Sequence, residues 1–261
     1  MSGTSLLVVR GLAKAFGGVA AVEDVGFELA AGEMLAMIGP NGAGKTTTFD
    51  LLGGQLVPDA GSIRLAGAEL AGLPPRAIWQ RGVGRTFQVA QTFRSLTVAE
   101  NVQAALLARD GAVFSFWRRA AGHKHAEALE LLAQVGLREQ AGRHAAVLAY
   151  GDVKRLELAI ALAAAPHLLL MDEPTAGMAP AERHARMALT RRLATDRGLA
   201  VLFTEHSMDV VFAHADRILV LARGRPIAHG IPQAVRDDPQ VRAVYLGTGQ
   251  VPGAPAAEVR A

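Results

Sequence analysis

Cysteine is missing from the 261-residue sequence, which excludes disulfides, thiolate zinc sites and cysteine nucleophiles. No apolar run is long enough to span a bilayer. The longest, residues 158–171, is broken by Pro166 and His167, whereas a spanning helix needs about 20 apolar residues. The opening MSGTSLLVVR has neither a basic start nor an apolar stretch of leader length, so a secretory signal is not expected. Charge of one sign is not in strong excess either: 27 Lys and Arg against 24 Asp and Glu leave a formal +3. Apart from small clusters such as Trp117, Arg118 and Arg119 the basic residues are scattered, so nucleic acid is not an expected partner. What remains is a soluble chain whose 51% hydrophobic content can fill a sizeable core, in one large α/β domain or two small ones.

Short apolar runs alternate with segments of helical period, which predicts a mostly parallel sheet covered by helices. Strands are expected at 6–9, 34–38, 62–65, 167–171, 200–203 and 217–222, and helices starting near Lys45, Val98, His123, Gly151, Ala181, Ser207 and Pro232. From about 90 to 165 the strand signal vanishes, so a helical subdomain is expected between two parts of one nucleotide-binding core, 1–89 and 166–246. The small, turn-rich residues 247–261 read as a mobile tail.

GPNGAGKT at 39–46 fits G-x-x-x-x-G-K-[ST] and lies between the run MLAMI and the helical TTTFDLL, the setting this phosphate loop requires. Gly39, Gly42 and Gly44 let backbone N–H groups turn toward an anion, and Pro40, Asn41 and Ala43 complete the loop. Lys45 can reach the β and γ phosphates, the Thr46 hydroxyl can ligate Mg²⁺, and Thr47 continues the helix start. LLLMDE places Asp172 and Glu173 after a buried strand, where Asp172 would hold Mg²⁺ through water and Glu173 would polarise the attacking water. Gln88 is a candidate for Mg²⁺ or water, His206 for the γ-phosphate and Phe16 for stacking on adenine. The plainer readings are a solvated glutamine, a capping histidine and a core aromatic.

With Phe16, GPNGAGKT, Gln88, LAYGD, LLLMDE, the EPTAGMAP turn and His206 in this order, the chain resembles an ATP-binding-cassette (ABC) ATPase subunit. GRTFQ, LAYG, TEHSMDVV and DPQVRAVYLG look most like the ATP-binding subunits of branched-chain amino acid importers. The resemblance implies a P-loop, RecA-like α/β core with an antiparallel β portion and an inserted helical subdomain, binding ATP and Mg²⁺. It implies two such subunits, identical or different, packed head to tail, so that Ala149, Tyr150, Gly151 and Asp152 serve the ATP held by the other subunit. It also implies transmembrane permease subunits, indirectly a periplasmic solute-binding protein, and a peripheral place on the cytoplasmic face of the membrane. Permeases are expected near Gln88 and the aromatic, basic segment 111–124. Branched-chain amino acids, amides or urea are the expected cargo, with lipopolysaccharide extraction the nearest rival. Non-transport ABC ATPases need a long coiled coil or tandem cassettes, for which the chain has no room. Ala149 replaces the usual signature serine, Asp152 and Val153 replace glutamines, and Met178 and Ala179 precede Pro180 where the subfamily often has Leu-Asn.

Overall fold

The computed structural model describes residues 5–86, 92–111 and 124–246. The chain starts with a long hairpin, β1 (Ser5–Phe16) and β2 (Val19–Ala30), then enters the interior as β3 (Met34–Ile38), followed by α1 (Lys45–Leu52). β4 (Ala60–Leu65), β5 (Ala68–Glu69), α2 (Pro75–Gln80) and β6 (Val83–Thr86) follow. The described residues between 92 and 166 hold α3 (Val98–Arg109), α4 (His125–Gln134), two short 3-10 turns and α5 (Tyr150–Leu162). The chain then alternates through β7 (Leu168–Met171), α6 (Pro180–Arg197), β8 (Ala200–Thr204), α7 (Met208–His214) and β9 (Arg217–Ala222), and closes with β10 (Arg225–Gly230), α8 (Pro232–Asp237) and α9 (Pro239–Leu246).

Two sheets result. One is antiparallel, in the order β2-β1-β4-β5; the other runs β10-β9-β3-β8-β7-β6, parallel except for β10. The inner strands of the parallel sheet are buried on both faces, which is why they read as nearly unbroken apolar runs. Met34, Ala36 and Ile38 of β3 face the helices, with Leu169 and Met171 of β7 and Val201 and Phe203 of β8. Leu35, Met37, Leu168, Leu170 and Leu202 point the other way, toward α1 and the antiparallel sheet. The phosphate-loop helix is therefore clamped between two sheets. On the helical side, α3 opens with a capping box: Glu100 N donates to Thr97 Oγ1 at 3.2 Å and Thr97 N to Glu100 Oε2 at 2.7 Å, a cap worth about 1 kcal/mol.

β2, β5, β6 and β10, and helices α2 and α9, are not among the elements expected from the sequence, and β1 runs seven residues past the expected Val9. β2 and β10 are edge strands with one face partly open, so alanines and charges interrupt their apolar pattern. The helix start expected near His123 and the mobile tail at 247–261 lie outside the described residues; α4 begins at His125.

Candidate nucleotide site

Three adjacent parallel strands bring the phosphate-loop residues to one edge. β8 lies between β3 and β7, with Met37 paired to Thr204 and Met171 to Phe203. The segments that follow, 39–44, 172–173 and 205–206, thus leave the sheet together at its carboxyl edge, where open α/β sheets hold ligands. A cleft of about 290 Å³ forms there, lined by the loop, Lys45, Thr46, Thr47, Asp172, Glu173 and His206. Two glycines allow the loop to lie tight against its neighbours: a Cβ on Gly44, at φ 100°, would sit 2.4 Å from the Ala21 carbonyl oxygen, and one on Gly39 2.3 Å from that of Leu221.

Lys45 is buried and donates to the carbonyl oxygens of Gly39 and Pro40 at 2.6 and 3.1 Å. Burial lowers its pKa, and the nearby Glu173 and Asp172 charges oppose that shift. Thr48 sends its hydroxyl back to Gly44 O at 2.8 Å, whereas Thr46 stands exposed in the cleft with Asp172. Thr204 Oγ1 donates to Asp172 Oδ1 at 2.7 Å and accepts from Glu173 N at 3.0 Å. This holds Glu173 at φ 45°, a left-handed conformation that costs a non-glycine residue roughly 1–2 kcal/mol. His206 Nε2 lies 2.9 Å from Glu173 Oε1. Among the described residues no group of three or more His, Cys, Asp or Glu side chains could hold a metal. One hydroxyl and one carboxylate suit Mg²⁺ when phosphates complete its shell.

Of the expected residues, Gln88 lies outside the described set. Phe16 does not line the cleft; it stands 48% exposed near the tip of the β1–β2 hairpin, whose second strand contributes Ala21. Ala149, Gly151 and Asp152 are also elsewhere, in a separate groove of about 670 Å³ between α5 and α6. Ala149 is the N-cap of α5 and has no side-chain cap bond. Tyr150 Oη donates to Ala176 O at 3.1 Å, and Asp152 accepts from Gln140 Nε2 at 2.9 Å and lies 3.7 Å from Arg155. Sequence reasoning missed Ala21, Thr204 and Glu205. Glu205 takes both the amide and hydroxyl of Thr175, at 2.8 and 2.5 Å.

A family model described as "ABC transporter" matches residues 22–176, more than half of the chain. The chain belongs to the ABC transporter family. A second model, "Branched-chain amino acid ATP-binding cassette transporter", matches 225–251. This ATPase is 41% identical over 249 residues to the high-affinity branched-chain amino acid transport ATP-binding protein LivG of Escherichia coli strain K12, covering 93% of this chain and 98% of LivG. It is 36% identical to the lipopolysaccharide export system ATP-binding protein LptB of the same organism, covering 92% and 97%. The ADP conformation of the cassette MJ1267 superposes with a TM-score of 0.84 at 28% identity, covering 94% of this chain and 99% of MJ1267. The nucleotide-binding cassette and its ATPase chemistry therefore rest on fold, motif and family together.

Proposed function

We propose that this ATPase powers an importer of branched-chain amino acids or related small polar solutes such as amides and urea, in a head-to-tail pair with a second ATPase subunit. The observation that carries the pairing is the separation of the two loops. Lys45, Thr46, Asp172, Glu173 and His206 line one cleft, while the start of α5 opens on another groove. A helix start rich in small residues is suited to a phosphate, and a second subunit's nucleotide satisfies it.

Within the cleft, Lys45 counters the β and γ phosphates, and Thr46 and Asp172 would hold Mg²⁺, with Gln88 completing its surroundings. Mg²⁺ when bound neutralises charge developing on the phosphates. Glu173, fixed by Thr204 and His206, orients and polarises the attacking water. Closing the pair excludes water and completes the site, and hydrolysis removes the bridging phosphate. Phe16, exposed on its hairpin, is available to stack on adenine.

No described helix is long and apolar enough to cross a membrane; on the importer reading, permease subunits hold this chain at the cytoplasmic face. A groove of about 630 Å³ lined by Trp79, Phe93, Leu107, Ile160 and Arg85 offers an apolar seat for a permease segment. Most of the aromatic, basic segment 111–124 lies outside the described residues. The match at 225–251 and the likeness to LivG support the cargo; the likeness to LptB supports lipopolysaccharide extraction as the second reading.

Purifying the complex through a tag on this chain, identifying the membrane proteins that accompany it, and measuring ATP-driven uptake of labelled leucine and urea into proteoliposomes tests the proposal. Uptake in the wild type but not in Lys45→Ala is expected. Uptake of neither solute, with lipopolysaccharide bound to the co-purified proteins, would replace the importer by an extractor.

A further inference from the structure

Four ionisable side chains are buried beside the start of α5: Lys154 and Glu157 on α5 itself, Arg186 on α6 and Glu205 after β8. Two positive and two negative charges balance, the condition under which a protein interior tolerates them. Three of the four are well bonded. Lys154 Nζ is 3.3 Å from Glu157 Oε2, and Glu205 accepts from Thr175 and from the His206 amide, the latter at 3.2 Å.

Arg186 is the exception. It is 5% exposed, donates through Nη1 to the Lys154 carbonyl at 2.7 Å, and has Nε and Nη2 buried without a hydrogen-bond partner. Native interiors hold few such donors, because each forfeits its bonds to water without replacement. Burial draws the Arg186 pKa down to about 10, against the neighbouring Glu157, Tyr150 and Glu205, so it is a cation at neutral pH. The carboxylates that could satisfy it already act on it electrostatically.

Its placement gives those idle donors a use. The Nη1 bond ends on Lys154, one turn beyond Tyr150 and Gly151 at the start of α5. Glu205 precedes His206, which touches Glu173. Arg186 therefore stands between the helix offered to the facing nucleotide and the strand end that carries this subunit's own catalytic pair. We propose that Arg186 is a positioning residue for the partner's ATP site. Its guanidinium sets where the signature helix rests, and its two idle N–H groups find Glu157 or Glu205 when α5 shifts as the subunits close. Unfilled donors in the open form and filled donors in the closed form bias the same two-state motion that ATP drives. This rests on the head-to-tail reading above. A planar fork fixes the directions of its bonds to Lys154 O and a carboxylate; a lysine keeps the charge and loses that fixed geometry.

Arg186→Met and Arg186→Lys test the assignment. MgATP affinity and thermal midpoint are measured on the isolated full chain, and turnover on the complex purified through its tag. Isolated affinity should stay within about threefold, and turnover of the complex should fall at least about fivefold in both variants. Lysine should restore the thermal midpoint that methionine lowers, but not the turnover. A lysine variant that turns over like wild type would reduce Arg186 to charge balance and overturn the proposal, as would loss of the isolated chain's own ATP. Should methionine prevent folding, the lysine variant decides alone. If wild-type turnover is the same with and without the second ATPase subunit, the head-to-tail reading falls and takes the proposal with it.

Discussion

Replacing Gly151 with Asp would separate this subunit's own nucleotide from the one that, on the proposed pairing, it serves in its partner. The fold should survive. Gly151 is the second residue of α5, and a Cβ there meets nothing within 4 Å. Asp at that position is a better helix former than Gly and lies favourably in the dipole of the first turn, worth roughly 0.3–1 kcal/mol, so the thermal midpoint should hold or rise slightly. The isolated chain should bind MgATP within about threefold of wild type, below 1 kcal/mol, because Gly151 does not line the phosphate cleft. The partner's site fares differently. A carboxylate about 4 Å from a phosphate charge costs about 4 kcal/mol at an effective dielectric of 20, which is nearly 1,000-fold. Asp152 shows how such a charge is tolerated here, held by Gln140 and beside Arg155. Turnover of the assembled transporter should therefore drop at least about tenfold, with equilibrium binding and complex turnover measured side by side. A mutant chain that loses its own ATP would show the loop acting in cis. Normal turnover of the complex would make LAYGD an ordinary helix start.

Lys45→Ala should abolish ATP binding or hydrolysis, since the phosphates lose their main side-chain counterion; unchanged turnover would remove the phosphate-loop assignment. Glu173→Gln retains an acceptor for His206 and the Thr204 bond to its amide, so MgATP should stay bound while hydrolysis slows at least about 100-fold. Gel filtration with MgATP should then show a closed dimer, and a monomer with normal turnover would refute the role. His214 is held below its ordinary pKa of 6.5 by burial, then by His184 and Arg191. The unfolded chain then binds the proton more readily, so stability is full above about pH 6.5 and declines as pH falls below it. His229 is lowered too, by burial and Arg217 against Glu33. Thermal unfolding of His214→Gln between about pH 5 and 8 should show a shallower acid decline than wild type, and an identical slope would count against this cause.

What could be read from the sequence follows from which forces act locally. The inner parallel strands were legible because burial on both faces leaves only apolar residues, as in MLAMI and LLLM, whereas VGRT at the sheet edge carries Gly84 and Arg85 and was not. β1 was legible only to Val9. Beyond it, Gly11 at positive φ and shifts of register break the alternation. Lys45 and Thr46 were legible because the turn, the cation and the hydroxyl lie within eight residues, and Asp172 and Glu173 because they follow a buried run. Thr204 and Glu205 were not. Their bonds to Asp172 and Thr175 span about 30 residues and exist only because β7 pairs with β8. Arg186 sits in AERHARMALTRR, where several arginines alternate along one helix, and only packing decides which of them turns inward.

Three departures from local rules bear on the candidate site. Glu173 is held in a left-handed conformation, Lys45 is desolvated against two carbonyls, and Arg186 keeps two buried donors idle. Each lies at or just behind the carboxyl edge of the parallel sheet, while the apolar layers on either side follow the strand pattern closely. A fold selected for stability alone would relax the first of these with glycine at 173. Their place at or behind the proposed phosphate site is what a preorganised site requires, because groups held ready for a charge are under-satisfied until it arrives. On the roles proposed above, Lys45 and Glu173 would exchange that deficit for contacts to this subunit's own nucleotide. For Arg186 the proposed exchange would come only when a second subunit closes, so stabilisation by MgATP should be larger in the assembled pair than in the isolated chain.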